Sequence, residues 1–87
     1  MRTIWKFPLP IADRFTLRMP KGAQVLCVQA QRNAPYLWAL CYPSALTEDR
    51  AFLLADTGHL RDDLEIAGNI GSFQLDGGQL VFHLFEQ

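Results

Sequence analysis

Apolar and polar residues alternate with a period of two along much of this chain, and this alternation limits its fold more than any other feature. In FTLRM, Phe15, Leu17 and Met19 fall on one side of an extended chain and the two polar residues between them fall on the other, as in a half-buried β-strand. Similar short runs predict the other strands: TIWKF, AQVLCVQAQR, YLWALCYP, the wholly apolar AFLLA, a run from Ile70 to Leu75, and QLVFHLFE.

The first turn with a clear signal is PKGA, in which proline and glycine favour chain reversal. We interpret Lys21-Gly22 as the two-residue loop of a β-hairpin. That register sets Phe15 opposite Val28 and Leu17 opposite Leu26, and both pairs are apolar. We therefore expect these two strands to be neighbours in one sheet.

The next turn is predicted at Asn33-Ala34-Pro35, between AQVLCVQAQR and YLWALCYP. With these three residues as the loop, Val28 lies opposite Leu40 on a side that is typical of a core. The same register sets Cys27 opposite Cys41, at a separation that overlaps the range of disulfides. We expect the two thiols to stay reduced in a cell and to be able to bridge in air.

The complete pattern predicts an all-β fold, or a β-rich α+β fold. We expect one globular domain over residues 1–87, built as a compact antiparallel sandwich or small barrel of six to seven short strands with at most one short helix. The helix, if present, is a single turn in PSALTEDR, which otherwise forms a loop. Asp76-Gly77-Gly78 predicts a hairpin into the last strand.

Charge and composition exclude several classes of protein. Nearly half of the residues are hydrophobic, which indicates a globular chain, and the net charge of −1 argues against bulk nucleic-acid binding through phosphates. Charged residues interrupt every apolar run, so no membrane span is expected. The N-terminus lacks the pattern of a signal peptide, and we expect a cytoplasmic protein.

The candidate site is the polar loop from Asp56 to Glu65, which contains Thr57, Gly58, His59 and Arg61. A histidine titrates near neutrality, so His59 has three open interpretations: a structural hydrogen bond, a ligand contact or acid-base catalysis. The second histidine, His83, is in mid-strand, where a satisfied structural role is the commoner one.

Other candidate ligand contacts are Lys6 and Trp5 near the N-terminus. A cation at the rim of an aromatic pocket suits a nucleotide or another anionic small molecule. Neither the histidines nor Cys27 and Cys41 have the spacing of a metal-ligand set, and no nucleophile motif is present. We therefore expect no cofactor, no metal and no catalytic residues.

Several stretches occur together in an order that resembles a known family: WKFPL, MPKGA, LWAL, TGH, IGSFQ and LVFHLFE. The family consists of short uncharacterised proteins of tailed bacteriophages and prophages, classed as a domain of unknown function. The resemblance extends over essentially the whole chain. It implies a phage origin and a function in the host bacterial cytoplasm, but none of the motifs indicates a particular reaction.

The resemblance and the residues together suggest a non-enzymatic binding protein. In this hypothesis a homo-oligomer sequesters a small anionic, nucleotide-type ligand and thereby counters host defence, with His59, Arg61 and Lys6 as contacts. A second hypothesis is a protein-interaction or virion accessory module that docks a host defence protein or a phage protein on a face formed by Val25, Cys27, Leu37 and Cys41. A small nucleotide hydrolase with His59 as its base is a third.

Overall fold

The computed structural model describes residues 1–87 and contains seven β-strands and no α-helix, which confirms the all-β prediction. Two short 3-10 turns, Ile66–Gly68 and Asp76–Gly78, are its only helical segments. The strands are β1 (Thr3–Pro8), β2 (Arg14–Pro20), β3 (Gln24–Gln31), β4 (Ala34–Cys41), β5 (Thr47–Asp56), β6 (Asn69–Leu75) and β7 (Leu80–Glu86).

The strands form two antiparallel sheets packed as a sandwich. The three-stranded sheet has the order β1-β4-β3, and the four-stranded sheet has the order β2-β5-β7-β6. A continuous apolar core lies between the two sheets. Every strand except β1 contributes at least one buried side chain to this core. Its most completely buried members are Met19, Leu37, Ala39, Phe52 and Leu84.

The predicted hairpin between β2 and β3 is wrong, because these strands lie in different sheets. β2 pairs with β5 instead, and Phe15 faces Phe52 rather than Val28. Residues 20–23 do form a turn, closed by the Ala23 N–H on the Pro20 carbonyl at 3.1 Å. Of its two central residues, however, only Gly22 has positive φ, which is the pattern of a type II turn. The twist of a type II turn directs the two flanking strands apart and so does not favour a hairpin.

The turn between β3 and β4 is one residue earlier and shorter than predicted. Arg32 and Asn33 both have positive φ and form a two-residue loop of the kind that matches strand twist, so Pro35 lies inside β4. Arginine is an uncommon residue there, which is why Asn33-Ala34-Pro35 looks like the loop in the sequence. Together with a bulge between Val25 and Cys27, this loop changes the register of the whole pair.

The corrected register separates the two cysteines. Cys27 faces Trp38 on the outer side of the sheet, whereas Cys41 is buried in the core, and both thiols are free. The cross-strand cysteine pair is therefore wrong. The docking face that included Leu37 and Cys41 is wrong for the same reason, since both side chains point into the core.

Chain neighbours pair less often than predicted, since β1 joins β4 and β2 joins β5 across intervening strands. The last hairpin is confirmed: β6 and β7 pair through the loop at Asp76–Gly78. PSALTEDR contains no helical turn, and its second half is already part of β5.

β5 is buried on both sides, and this places the candidate loop. Phe52 and Leu54 point into the core, whereas Leu53 and Ala55 alternate with them and point outward, yet all four are buried. The loop that follows β5 folds back along this strand, because the Arg61 guanidinium donates to the Leu54 carbonyl at 2.5 Å.

Candidate functional site

The loop from Asp56 to Glu65 borders a shallow groove of about 480 Å³. His59 lies exposed at its rim, and its main-chain N–H donates to the Asp56 carbonyl at 3.2 Å. Asp13 and Arg14, which precede and begin β2, form the other side of the groove. His59 and Arg61 both border this groove.

The Arg61 side chain is engaged by the protein itself. It is 8% exposed, and its donors reach Asp63 at 3.0 and 2.9 Å, the Leu54 carbonyl at 2.5 Å and the Asp13 carbonyl at 3.3 Å. The hydrogen bond to Asp63 raises the pKa of the guanidinium above its ordinary value. Arg61 thus holds the loop against β5 and the segment before β2, with little hydrogen-bonding capacity left for a ligand.

The electrostatics of this groove do not suit an anion. Asp13, Asp62 and Asp63 line it, and both arginines that line it are ion-paired with these carboxylates. The hydrogen bond from Arg61 lowers the pKa of Asp63 to about 2, so this carboxylate stays ionised at any physiological pH. The lining thus has three carboxylates against two arginines, and this net negative charge opposes the approach of a phosphate.

Thr57 and Gly58 form a turn that is hydrogen-bonded to β7. The Thr57 N–H donates to the Val81 carbonyl at 3.0 Å, and its Oγ1 is 2.7 Å from Nε2 of His83. His83 therefore has a hydrogen-bond partner in mid-strand. Gly58, at a φ of 86°, completes the turn with no group packed against it.

Trp5 and Lys6 lie on β1 in the other sheet, away from the His59 loop. The Lys6 ammonium is 4.3 Å from the centre of the Tyr36 ring and donates to Oε1 of Gln31 at 2.9 Å. Lys6, Gln31, Arg32 and Tyr36 surround a surface depression of about 390 Å³. The six residues predicted to bind a ligand therefore fall into two groups, the four loop residues, which follow β5 of the four-stranded sheet, and the pair on β1 of the three-stranded sheet.

The depression at Lys6 belongs to a larger surface, the outer face of the three-stranded sheet. Leu37, Ala39 and Cys41 point inward, so the residues that alternate with them on β4, together with their cross-strand partners, point outward. This outer face consists of Ile4, Lys6 and Pro8 on β1, Tyr36, Trp38 and Leu40 on β4, and Gln24, Cys27, Gln29 and Gln31 on β3.

Aromatic rings and cations, without any carboxylate, characterise the outer face. Trp38 is directly opposite Lys6, and it meets Tyr36 edge to face with ring centres 6.0 Å apart. No Asp or Glu occurs in β1, β3 or β4. Neither Lys6 nor Arg32, which borders the outer face in the turn before β4, has an ion-pair partner.

One signal in the sequence could have located this surface. The first 46 residues contain six Lys and Arg but a single acid, Asp13, whereas the remaining 41 contain two Lys and Arg and eight acids. A net charge near zero conceals this asymmetry. The sequence did not reveal that Tyr36, Gln31 and Arg32 surround one depression together with Lys6. This arrangement depends on the pairing of β1 with β4, two strands that are distant in sequence.

No three His, Cys, Asp or Glu side chains lie close enough together to hold a metal ion as a group. No helix in the structure has the length and apolarity needed to cross a membrane.

The two packed sheets define a small all-β sandwich domain, and half-buried aromatic rings lie on the outer face of one of them. Residues 1–87 match the model of a family described as a domain of unknown function, DUF7352, and the chain belongs to this family. Neither the curated proteins nor the solved structures contain a match to it.

Proposed function

We propose that this protein is a non-enzymatic binding protein for a small anionic ligand with a planar ring, of the nucleotide type, and that the ligand binds on the outer face of the three-stranded sheet. The observation that carries this proposal is the position of Lys6 beside Tyr36 and Trp38 on a surface without carboxylates.

The chemistry of the outer face fits both parts of such a ligand. A flat base stacks on an exposed aromatic ring, and this contact contributes about 1–3 kcal/mol per base. Phosphate oxygens accept charge-assisted hydrogen bonds from an ammonium or guanidinium. Lys6 uses one donor on Gln31, so its ammonium retains donors for a phosphate, and Arg32 lies exposed on the same depression.

The resemblance to short phage and prophage proteins supports a biological role for such binding. In the cytoplasm of an infected bacterium, capture of a nucleotide-type messenger would blunt host defence. The outer face is also the surface that a protein partner would contact under the protein-interaction hypothesis, because Leu37 and Cys41 of the face predicted for it are buried in the core.

The direct test is native mass spectrometry and calorimetry with adenosine triphosphate, a cyclic dinucleotide and a ten-residue oligothymidylate as probes. We expect a discrete nucleotide adduct, and we expect Lys6→Ala and Trp38→Leu each to weaken it about tenfold or more, equivalent to about 1.4 kcal/mol. Lys21→Ala is the matched control, because Lys21 is an exposed lysine in the turn that joins the two sheets.

Three results would contradict the proposal. The first is no binding of either nucleotide at about 1 mM, a weak-affinity limit. The second is loss of binding in His59→Ala but not in Lys6→Ala, which would return the site to the loop. The third is much tighter binding of the oligothymidylate, which would make single-stranded nucleic acid the ligand.

A further inference from the structure

The free edge of β1 differs from the other sheet edges of this sandwich. β3 and β6 each contain a register shift, and β2 carries two arginines, Arg14 and Arg18, whose side chains remain 69% and 66% exposed. Such bulges and charges protect an edge from pairing with another chain. β1 runs from Thr3 to Pro8 in unbroken register with β4, and nothing pairs with its other side.

The one charge on β1 does not protect this edge. A lysine on an edge strand normally projects its ammonium where an incoming strand would lie. Lys6 instead turns back over its own sheet, to the Tyr36 ring on β4 and to Gln31 on β3. The edge is left open and largely apolar, with Ile4 56% and Trp5 40% exposed.

The backbone of β1 has hydrogen-bonding groups directed at this open side. The Leu9 N–H donates to the Pro35 carbonyl, which fixes the alternation along the strand. Trp5 and Phe7 therefore direct their backbone groups at β4, whereas Ile4 and Lys6 direct both N–H and C=O outward, and Pro8, which has no N–H, directs only its C=O outward. A second strand can pair there without disturbing the β1–β4 ladder.

We propose that β1 pairs antiparallel with β1 of a second copy of this chain, with Trp5 opposite Trp5 of the partner on the two-fold axis. In this register the outward backbone groups of Ile4 pair with those of Lys6 in the partner, and reciprocally. The two sheets then form one continuous six-stranded sheet, a β-augmentation between identical chains.

Charge selects this register over its neighbours. A shift that centres Ile4 on the axis sets Arg2 opposite the partner's Lys6, and a shift that centres Lys6 sets the two lysines opposite each other; both juxtapose like charges. With Trp5 on the axis, each Lys6 is opposite Ile4. The Trp5 rings, each 40% exposed in the single chain, then cover each other.

This dimer joins the two outer faces, so that Lys6 of both copies borders one surface. The use of both lysines by one ligand rests on the proposed function, whereas the strand pairing does not. Dimerisation and ligand binding can therefore fail separately in the two sets of experiments.

Sedimentation equilibrium measures the pairing directly. We expect a dimer of the 9.9 kDa chain at micromolar concentration, and a monomer with an unchanged circular dichroism spectrum in Ile4→Pro. Proline at position 4 removes an N–H that points outward, as Pro8 already does at the equivalent phase of the strand. Ile4→Val, which keeps the N–H, is the control. A monomeric wild type at about 100 μM, or a dimeric Ile4→Pro, would overturn the proposal.

Disulfide trapping measures the register. In a Cys27→Ser background, Trp5→Cys is expected to cross-link two chains under mild oxidation, because directly opposed positions in a non-hydrogen-bonded pair have a separation suited to a disulfide. Ile4→Cys and Lys6→Cys are the matched controls, and both should cross-link far less. Preferential cross-linking of either control would show that the register is wrong.

Discussion

At the scale of single residues, the loop that looks most like an active site in the sequence contains a residue, Arg61, that fixes the loop to the rest of the protein. Arg61 stands in a run of polar residues, where a sequence offers no way to separate a ligand contact from a structural one. The structure shows its guanidinium bound to Asp63 and to two carbonyls from separate segments. We therefore expect Arg61→Ala to destabilise the loop, since it would leave the Leu54 carbonyl without this donor.

The pairing of Arg61 with Asp63 predicts a pH dependence. The pKa of Asp63 falls from 3.8 to about 2 on folding, so the ionised form favours the folded chain. This contribution is complete above about pH 4 and is lost as the pH falls toward 2. Unfolding measured between pH 2 and 5 should lose part of its pH dependence in Asp63→Asn. An identical pH profile for the wild type and Asp63→Asn would contradict the lowered pKa.

At the scale of elements, two turns from different sheets are tied to each other. Asn33, in the β3–β4 turn, accepts a hydrogen bond at Oδ1 from the Asp76 N–H of the β6–β7 turn at 2.7 Å. Asn33 also has a φ of 60°, a conformation that asparagine tolerates better than most residues. One side chain thus serves both the turn and the contact between sheets.

Two substitutions at Asn33 separate these roles. Asn33→Gly keeps the left-handed backbone and loses only the hydrogen bond, which we expect to lower the free energy of unfolding by about 1 kcal/mol. Asn33→Ala loses the bond and also strains the turn, adding about 1 kcal/mol. Urea unfolding of the two variants measures the difference, and equal stabilities would show that the turn imposes no conformational demand.

At the scale of the whole molecule, charge is divided between the two sheets. β1, β3 and β4 contain no acid, while eight of the nine acids come after residue 46, in the half of the chain that forms most of the four-stranded sheet. Within that half, Arg50 and Glu86 form a two-pronged ion pair, with Nε–Oε2 and Nη2–Oε1 distances of 2.6 and 2.9 Å, and Arg50 also donates to the Ala23 carbonyl. The unpaired cations are left on the other half.

This division predicts the salt dependence of ligand binding. Nucleotide affinity should fall as sodium chloride is raised from about 50 to 500 mM, because exposed cations are screened over a Debye length that shortens from more than 10 Å to a few ångströms. The affinity for the uncharged nucleoside, which depends on stacking, should change little. Calorimetry at both salt concentrations tests this, and an equal response of nucleotide and nucleoside would rule out a phosphate contact with Lys6.

The sequence by itself determined that the chain is all-β, where most strands lie and that Asp76–Gly78 forms a hairpin, because period-two alternation and glycine-rich turns are local properties. Only the tertiary structure decided which strands are neighbours. It also decided which side of β4 is buried, because a one-residue shift of the turn to Arg32-Asn33 changes the register between β3 and β4. It also decided the candidate site: Lys6 meets Tyr36 and Gln31 through strand pairings, and Arg61 reaches the carbonyl of Asp13, which is distant from it along the chain. Local patterns carry no information about such contacts, because their formation depends on how the two sheets assemble.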